Sequence, residues 1–182
     1  DTHVSLKATS GSIRDLDGDS LVSATNLNLE AGISIASATN DYDTNVTNLS
    51  VTASNGSVFI EEDTNLVITD TTATVTVVAL DASTSNTEDT NNGINVTNGD
   101  LVIATIAGSI TTADSTGDIT VTNNILLDAS TSITLEGDIL SNAGHITLDA
   151  AAGIATLSGA GAPVGAIIGG VSATMKAGRA GT

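Results

Sequence analysis

The chain has few of the residues that stabilise small folds through disulfides, thiolate metal sites or aromatic cores. Its 182 residues include no cysteine, one proline, no tryptophan, one tyrosine and one phenylalanine. The lack of cysteine excludes disulfides and thiolate metal sites, and the shortage of aromatic residues argues against a β-sandwich with an aromatic core. No uninterrupted run of 18 apolar residues occurs, so the sequence predicts no membrane-spanning helix.

Positive charge is also scarce. Four lysines and arginines oppose 21 acidic residues, which gives a formal net charge of −17. A polyanion of this strength repels phosphate backbones and anionic lipid, so nucleic acid and membrane surfaces are not expected partners. Divalent cations are the natural partners of such a chain.

One short pattern recurs eight times: aliphatic, any, aliphatic, any, small. The small positions fall at residues 8, 31, 53, 82, 105, 129, 150 and 173, at intervals of 21 to 29 residues. The hexapeptide Leu-Asp-Ala-Ser-Thr-Ser also occurs twice, at 80–85 and 127–132. A regular period of this length indicates a solenoid, a propeller or another repeat array.

Within a unit, apolar and polar residues alternate, as in the run from Ile146 to Ala150, and this period of two predicts strands. The sequence therefore predicts an all-β fold, a single-stranded parallel β-helix of about eight coils with about 22–23 residues each. A propeller blade needs about 40 residues, so a propeller fits less well. Residues 1–158 are expected to hold the repeats, and the Gly/Ala-rich apolar segment 159–182 to form a last coil or a subunit-docking end.

A possible Ca²⁺ site lies early in the chain. Asp15, Asp17 and Asp19 alternate around Gly18, a spacing that lets one loop direct several oxygens at a cation. An EF-hand loop would also need Glu at its twelfth position, where Asn26 stands, so that motif fails. The alternative is an ordinary solvated turn.

Enzymatic signals are few, and no catalytic residue is predicted. The two histidines are His3, near a terminus, and His145, in a stretch that predicts an exposed turn. A Ca²⁺-dependent polysaccharide lyase would need a basic residue beside its cation, and Arg14 is the single candidate. The segment 83–93 contains no apolar side chain and predicts a loop that projects from the rod, where repeat proteins often bind ligands.

Several units resemble the repeats of filamentous-haemagglutinin-type adhesins and related giant repetitive bacterial surface proteins. The resemblance is carried by the stretches 27–35, 49–58 and 146–154 and extends over nearly the whole chain as a degenerate pattern. It implies secretion, a right-handed β-helical shaft, and a role in adhesion or an extracellular matrix.

Neither terminus shows the polar cap that a solenoid needs to protect its last coil, so the chain is expected either to be a window of a longer rod or to stack head to tail with copies of itself. The sequence therefore predicts a structural protein without enzymatic activity, located outside the cell or on its surface, which joins head to tail with itself into a fibre, sheath or filament. The alternative is the shaft of an adhesin that binds glycans or surfaces through its loops, and the third choice is the lyase.

Overall fold

The computed structural model describes residues 2–16, 18, 20–78, 80–156 and 168–178. These residues form strands joined by turns; they contain no helix, and so no helix able to span a membrane. The described strands are β1 (His3–Ala8), β2 (Val22–Ala31), β3 (Tyr42–Ala53), β4 (Val58–Glu62), β5 (Leu66–Ile68), β6 (Thr71–Val78), β7 (Thr84–Asn91), β8 (Ile94–Val96), β9 (Leu101–Thr105), β10 (Ile110–Thr112), β11 (Ile119–Val121), β12 (Ile125–Ala129), β13 (Ser132–Leu135), β14 (Ile139–Ser141), β15 (His145–Ala150), β16 (Gly153–Thr156), β17 (Ile168–Gly169) and β18 (Ser172–Ala177).

The strands stack in parallel as a β-solenoid, which makes about seven turns in the described residues. Ladder A contains β4, β9, β12, β15 and β18; ladder B contains β5, β10, β13 and β16; ladder C contains β8, β11, β14 and β17. Equivalent residues pair in register, so that Leu127 lies between Ile103 and Leu148. The prediction of an all-β parallel solenoid is confirmed, and the eight predicted coils are close to the number observed.

The first coils use longer strands than the later ones. β3 is one long strand that lies beside three shorter strands of the next coil. Its start pairs with β4, its middle with β5 and its end with β8. β2 pairs with β3 over nearly all of its length, and β1 pairs with the second half of β2. The corners between ladders therefore sharpen only from the fourth coil onward.

Aliphatic side chains fill the interior in stacked rows. Leu101, Leu127 and Leu148 are completely buried, as are most of the inward positions of all three ladders. Each such side chain stabilises the fold by about 1.5–3 kcal/mol relative to an exposed one. Space at the turns is tight, because a Cβ added at Gly32 would lie 2.4 Å from the carbonyl oxygen of Thr9.

The eight pattern matches do not form a single ladder. The third match continues into ladder C, where Ala53 pairs with Val96, whereas the fifth to seventh lie in ladder A, where Thr105 pairs with Glu62.

The fourth and eighth matches depart further. The fourth match, at 78–82, is not part of a coil: β6 and β7 form an antiparallel hairpin in which Val78 pairs with Thr84. The insertion lies between the third and fifth matches, whose small positions are 53 and 105. The eighth match is displaced by four residues, since Ala173 pairs with Ile146 and it is Ala177 that pairs with Ala150.

Candidate functional site

Both ends of the described solenoid are open. Among the described residues, β1 pairs only with β2 and β18 only with β15, so each has one unpaired edge. Met175 stacks on Leu148, yet Met175 is 57% exposed whereas Leu148 is fully buried. At the other end Leu6 is only partly buried. Of the predicted C-terminal segment 159–182, residues 168–178 lie in the last coil and the others are outside the described residues.

The hairpin formed by β6 and β7 (Thr71–Asn91) leaves the solenoid between ladders B and C and packs on the outside of the first three coils. It includes most of segment 83–93, so the loop prediction is wrong in form: residues 84–91 are a paired strand. Threonine and valine alternate along β6 and allow this pairing, whereas β7 is entirely polar and its composition alone predicts a loop.

Polar contacts attach the base of the hairpin to the third and the first coils. The Thr52 hydroxyl of β3 donates a hydrogen bond to Asn91 Oδ1 at 2.8 Å. Two residues earlier on β7, Asp89 accepts a hydrogen bond from Ser5 and lies 3.8 Å from the Lys7 ammonium, both on β1. The hairpin therefore runs along the axis of the solenoid, from the third coil toward the first.

Lys7 is the centre of this anchor. It forms an ion pair with Glu30 on the next coil as well as with Asp89 on the hairpin. Hydrogen bonding to Glu30 raises the pKa of Lys7, which favours the charged form of the side chain. In a chain with so few cations, this placement joins β1, β2 and the hairpin through a single side chain.

The outer half of the hairpin extends past the N-terminal edge of the solenoid. Ala73 pairs with Asp89 and is buried, at the level of the first coil. Beyond that point β6 continues for five residues to Val78, about 17 Å at 3.4 Å per residue. Every side chain from 80 to 86 is exposed, and Leu80 is completely so.

Of the predicted Ca²⁺ ligands, the structure describes Asp15, while Asp17 and Asp19 lie outside the described residues. Asp15 is buried and its Oδ1 accepts a hydrogen bond from the backbone N–H of Gly18 at 3.3 Å. The described residues contain no group of three or more acidic, His or Cys side chains placed to hold a metal. The Ca²⁺ site stays a prediction.

The surroundings of Asp15 form a concavity beside the first two coils. Its backbone carbonyl accepts a hydrogen bond from Asn40 Nδ2 at 2.6 Å. Burial, followed by the charge of Asp15, raises the pKa of the nearby Tyr42. The exposed Arg14 named for the lyase alternative lies on the rim of this concavity. The lining residues are Arg14, Asp15, Leu16, Ser34, Ala36, Ser37 and Asn40.

The two histidines make contacts between neighbouring coils. His145 begins β15, is exposed, and its Nδ1 lies 2.7 Å from the hydroxyl of Ser172, its register partner on β18. His3 likewise accepts a hydrogen bond from Asn26, its partner on β2, at 3.1 Å. Side chains stacked in register produce such pairs throughout the fold, so these contacts are consistent with a structural role.

A shallow groove follows the outer face of ladder A. Phe59, Val102 and Leu126 form its partly exposed apolar floor. Asp149 and Lys176 lie beside it, with Oδ2 and Nζ 3.8 Å apart. Sequence reasoning did not identify this surface, because the three apolar residues are in different repeats and only the register of the ladder brings them together.

Glu62 is a buried carboxylate that stabilises a corner. It ends β4, where the chain turns away, and its carboxylate accepts the backbone N–H of Val46 at 3.1 Å and that of Thr64 at 3.1 Å. The Thr44 hydroxyl donates a further hydrogen bond at 2.7 Å. Burial raises the pKa of Glu62, although these hydrogen bonds act in the opposite direction.

No protein-family model matches the chain, and comparison with curated proteins and with solved structures found no match. The resemblance to filamentous-haemagglutinin-type adhesins stays an expectation from the repeat pattern.

Proposed function

We propose that this chain is a structural, non-enzymatic building block that stacks head to tail with copies of itself into an extracellular or cell-surface filament. The observation that carries the proposal is the pair of open ends. β1 and β18 each present an unpaired parallel edge, and apolar interior side chains are exposed there among the described residues.

The two edges are compatible with one another. Every ladder in the solenoid is parallel and in register, so copies can stack with the geometry of an internal coil: β17 of one copy meets the second half of β1 of the next along ladder C, and β18 meets the stretch at Ile13 along ladder A. Such a contact pairs backbone groups that would otherwise be open to other chains. It also buries Met175 of one copy and Leu6 of the other, each gaining up to about 1.5–3 kcal/mol.

The test places a charge inside the contact between two stacked copies. We expect Met175→Lys to prevent assembly, because the ammonium would be buried without a partner against the aliphatic stack. Thr174→Lys is the matched control: Thr174 pairs with the outward-facing Thr147, so the same charge stays in water and filaments should form.

Electron microscopy and light scattering of purified protein measure the outcome. Filaments should repeat every seven coils, about 34 Å at 4.8 Å per coil. Monomeric rods at all concentrations would contradict the proposal and favour the alternative, an adhesin shaft that binds glycans or surfaces through its projecting parts. Cleavage of an acidic polysaccharide by the purified chain would favour the lyase instead.

A further inference from the structure

We infer that the outer half of the β6–β7 hairpin is a clasp, which lies along the outside of the last four coils of a second copy stacked on β1. This inference rests on the proposed function and specifies how the joint is held. Three features support it: the direction of the hairpin, its length, and the surface on which its base lies.

The base of the hairpin lies beside a single row of outward-facing residues, one from each coil. We call this row the C stripe, and register pairing defines it as Lys7, Glu30, Thr52, Asn95, Thr120, Leu140 and Gly169. Asn91 binds Thr52 and Asp89 binds Lys7, so the hairpin follows the C stripe of its own chain toward the first coil. In a stack of copies, the next residue of this row is Gly169 of the neighbour.

The length of the overhang matches the part of the C stripe that is left uncovered. Each copy covers its own first three coils with the base of its hairpin, which leaves four coils, from Asn95 to Gly169. Four coils at about 4.8 Å span about 19 Å, and β6 extends about 17 Å past Ala73 before its turn. Hairpins of successive copies would therefore lie end to end along the filament.

The uncovered part of the C stripe presents no negative charge that would repel the hairpin of another copy. Asn95, Thr120, Leu140 and Gly169 carry no charge, in a chain whose net charge is −17. Leu140 is 42% exposed, an apolar side chain in an otherwise polar row. On the hairpin, Leu80 is an exposed apolar residue at the turn. Both side chains would lie within the joint.

Cysteine cross-linking tests the register directly, since the natural chain contains no cysteine. Ser85 pairs with Val77, four residues past Ala73, and so lies about 14 Å beyond β1. The third coil of the neighbour, counted from its C-terminal end, lies at about 14 Å and carries Thr120. The test variant is therefore Ser85→Cys with Thr120→Cys, oxidised under conditions in which filaments form.

Ser85→Cys with Thr147→Cys is the matched control, because Thr147 faces outward from ladder A on another side of the solenoid. We expect filaments of the test variant to give intermolecular disulfide ladders several-fold more abundant than those of the control, since the clasp raises the effective concentration of the two thiols.

The outcomes separate the clasp from the filament itself. Filaments whose cross-linking is equal in the two variants would overturn the clasp and leave the proposed function standing. A chain that stays monomeric by light scattering would overturn both. Intramolecular disulfides within monomers of the test variant would show that the hairpin folds onto its own later coils, and would also overturn the clasp.

Discussion

Glu61 and Glu62 are adjacent carboxylates on β4 with opposite surroundings. Glu62 points into a corner and is completely buried, with hydrogen bonds to its oxygens. Glu61 lies on the outer side, where burial and then the charges of Asp41, Asp43 and Asp63 raise its pKa. The same residue type therefore stabilises the fold at one position and is electrostatically unfavourable at the next.

These two positions allow a matched pair of substitutions. We expect Glu62→Gln to lower the free energy of unfolding by about 1–3 kcal/mol, because in either orientation the amide N–H₂ would face the buried N–H of Val46, which contacts both carboxylate oxygens. Glu61→Gln should be neutral or stabilising, since it removes one of four crowded negative charges. Urea unfolding at pH 7 measures both changes, and equal destabilisation by the two variants would contradict this explanation.

At the scale of the element, the strands of the coils were predictable and the hairpin was not. Alternation of apolar and polar residues identifies each strand, and the small position is where β2, β3, β12 and β15 all end in a buried alanine. The match at 78–82 satisfies the same pattern at the turn of the hairpin. The pattern marks the end of a strand but does not specify which strand pairs with it.

The candidate sites were less predictable than the coils, for a related reason. The C stripe and the groove on ladder A consist of residues about 20 to 45 positions apart, and only the register places them side by side. A run such as Asp15 to Asp19 is visible in the sequence because its residues are neighbours in the chain. The surfaces of a solenoid are continuous in space and dispersed in sequence.

Shortening the hairpin should separate its packing on its own coils from its contact with a neighbouring copy. We expect replacement of residues 75–87 by Asn-Gly, which favours a tight two-residue turn, to leave the melting temperature of the monomer nearly unchanged. The anchoring contacts of Ser5, Lys7 and Thr52 are all made to residues outside that range. Filaments of the variant should dissociate at lower urea concentrations than those of the natural chain. Filaments of unchanged stability would show that the hairpin does not reach the neighbouring copy.

At the scale of the whole molecule, assembly must overcome charge repulsion. Each copy carries a formal charge of −17, and stacking brings such copies into contact along one axis. The attraction between open ends is short-ranged and arises from burial and strand pairing, whereas the repulsion extends over about 10 Å at 0.1 M salt and further at lower ionic strength. Added salt should therefore shift the balance toward filaments.

We expect the lowest protein concentration at which filaments form to fall several-fold between 10 mM and 300 mM NaCl, as measured by light scattering, because a shorter screening length weakens only the repulsion. A second series in CaCl₂ at equal ionic strength distinguishes general screening from a bound cation. If the concentration falls further in CaCl₂, Ca²⁺ binds the assembled chain, and loss of that extra effect in Asp15→Asn would assign the cation to the predicted site. Filaments that dissolve as salt is added would mean that ion pairs between copies, and not the apolar open ends, hold the stack together.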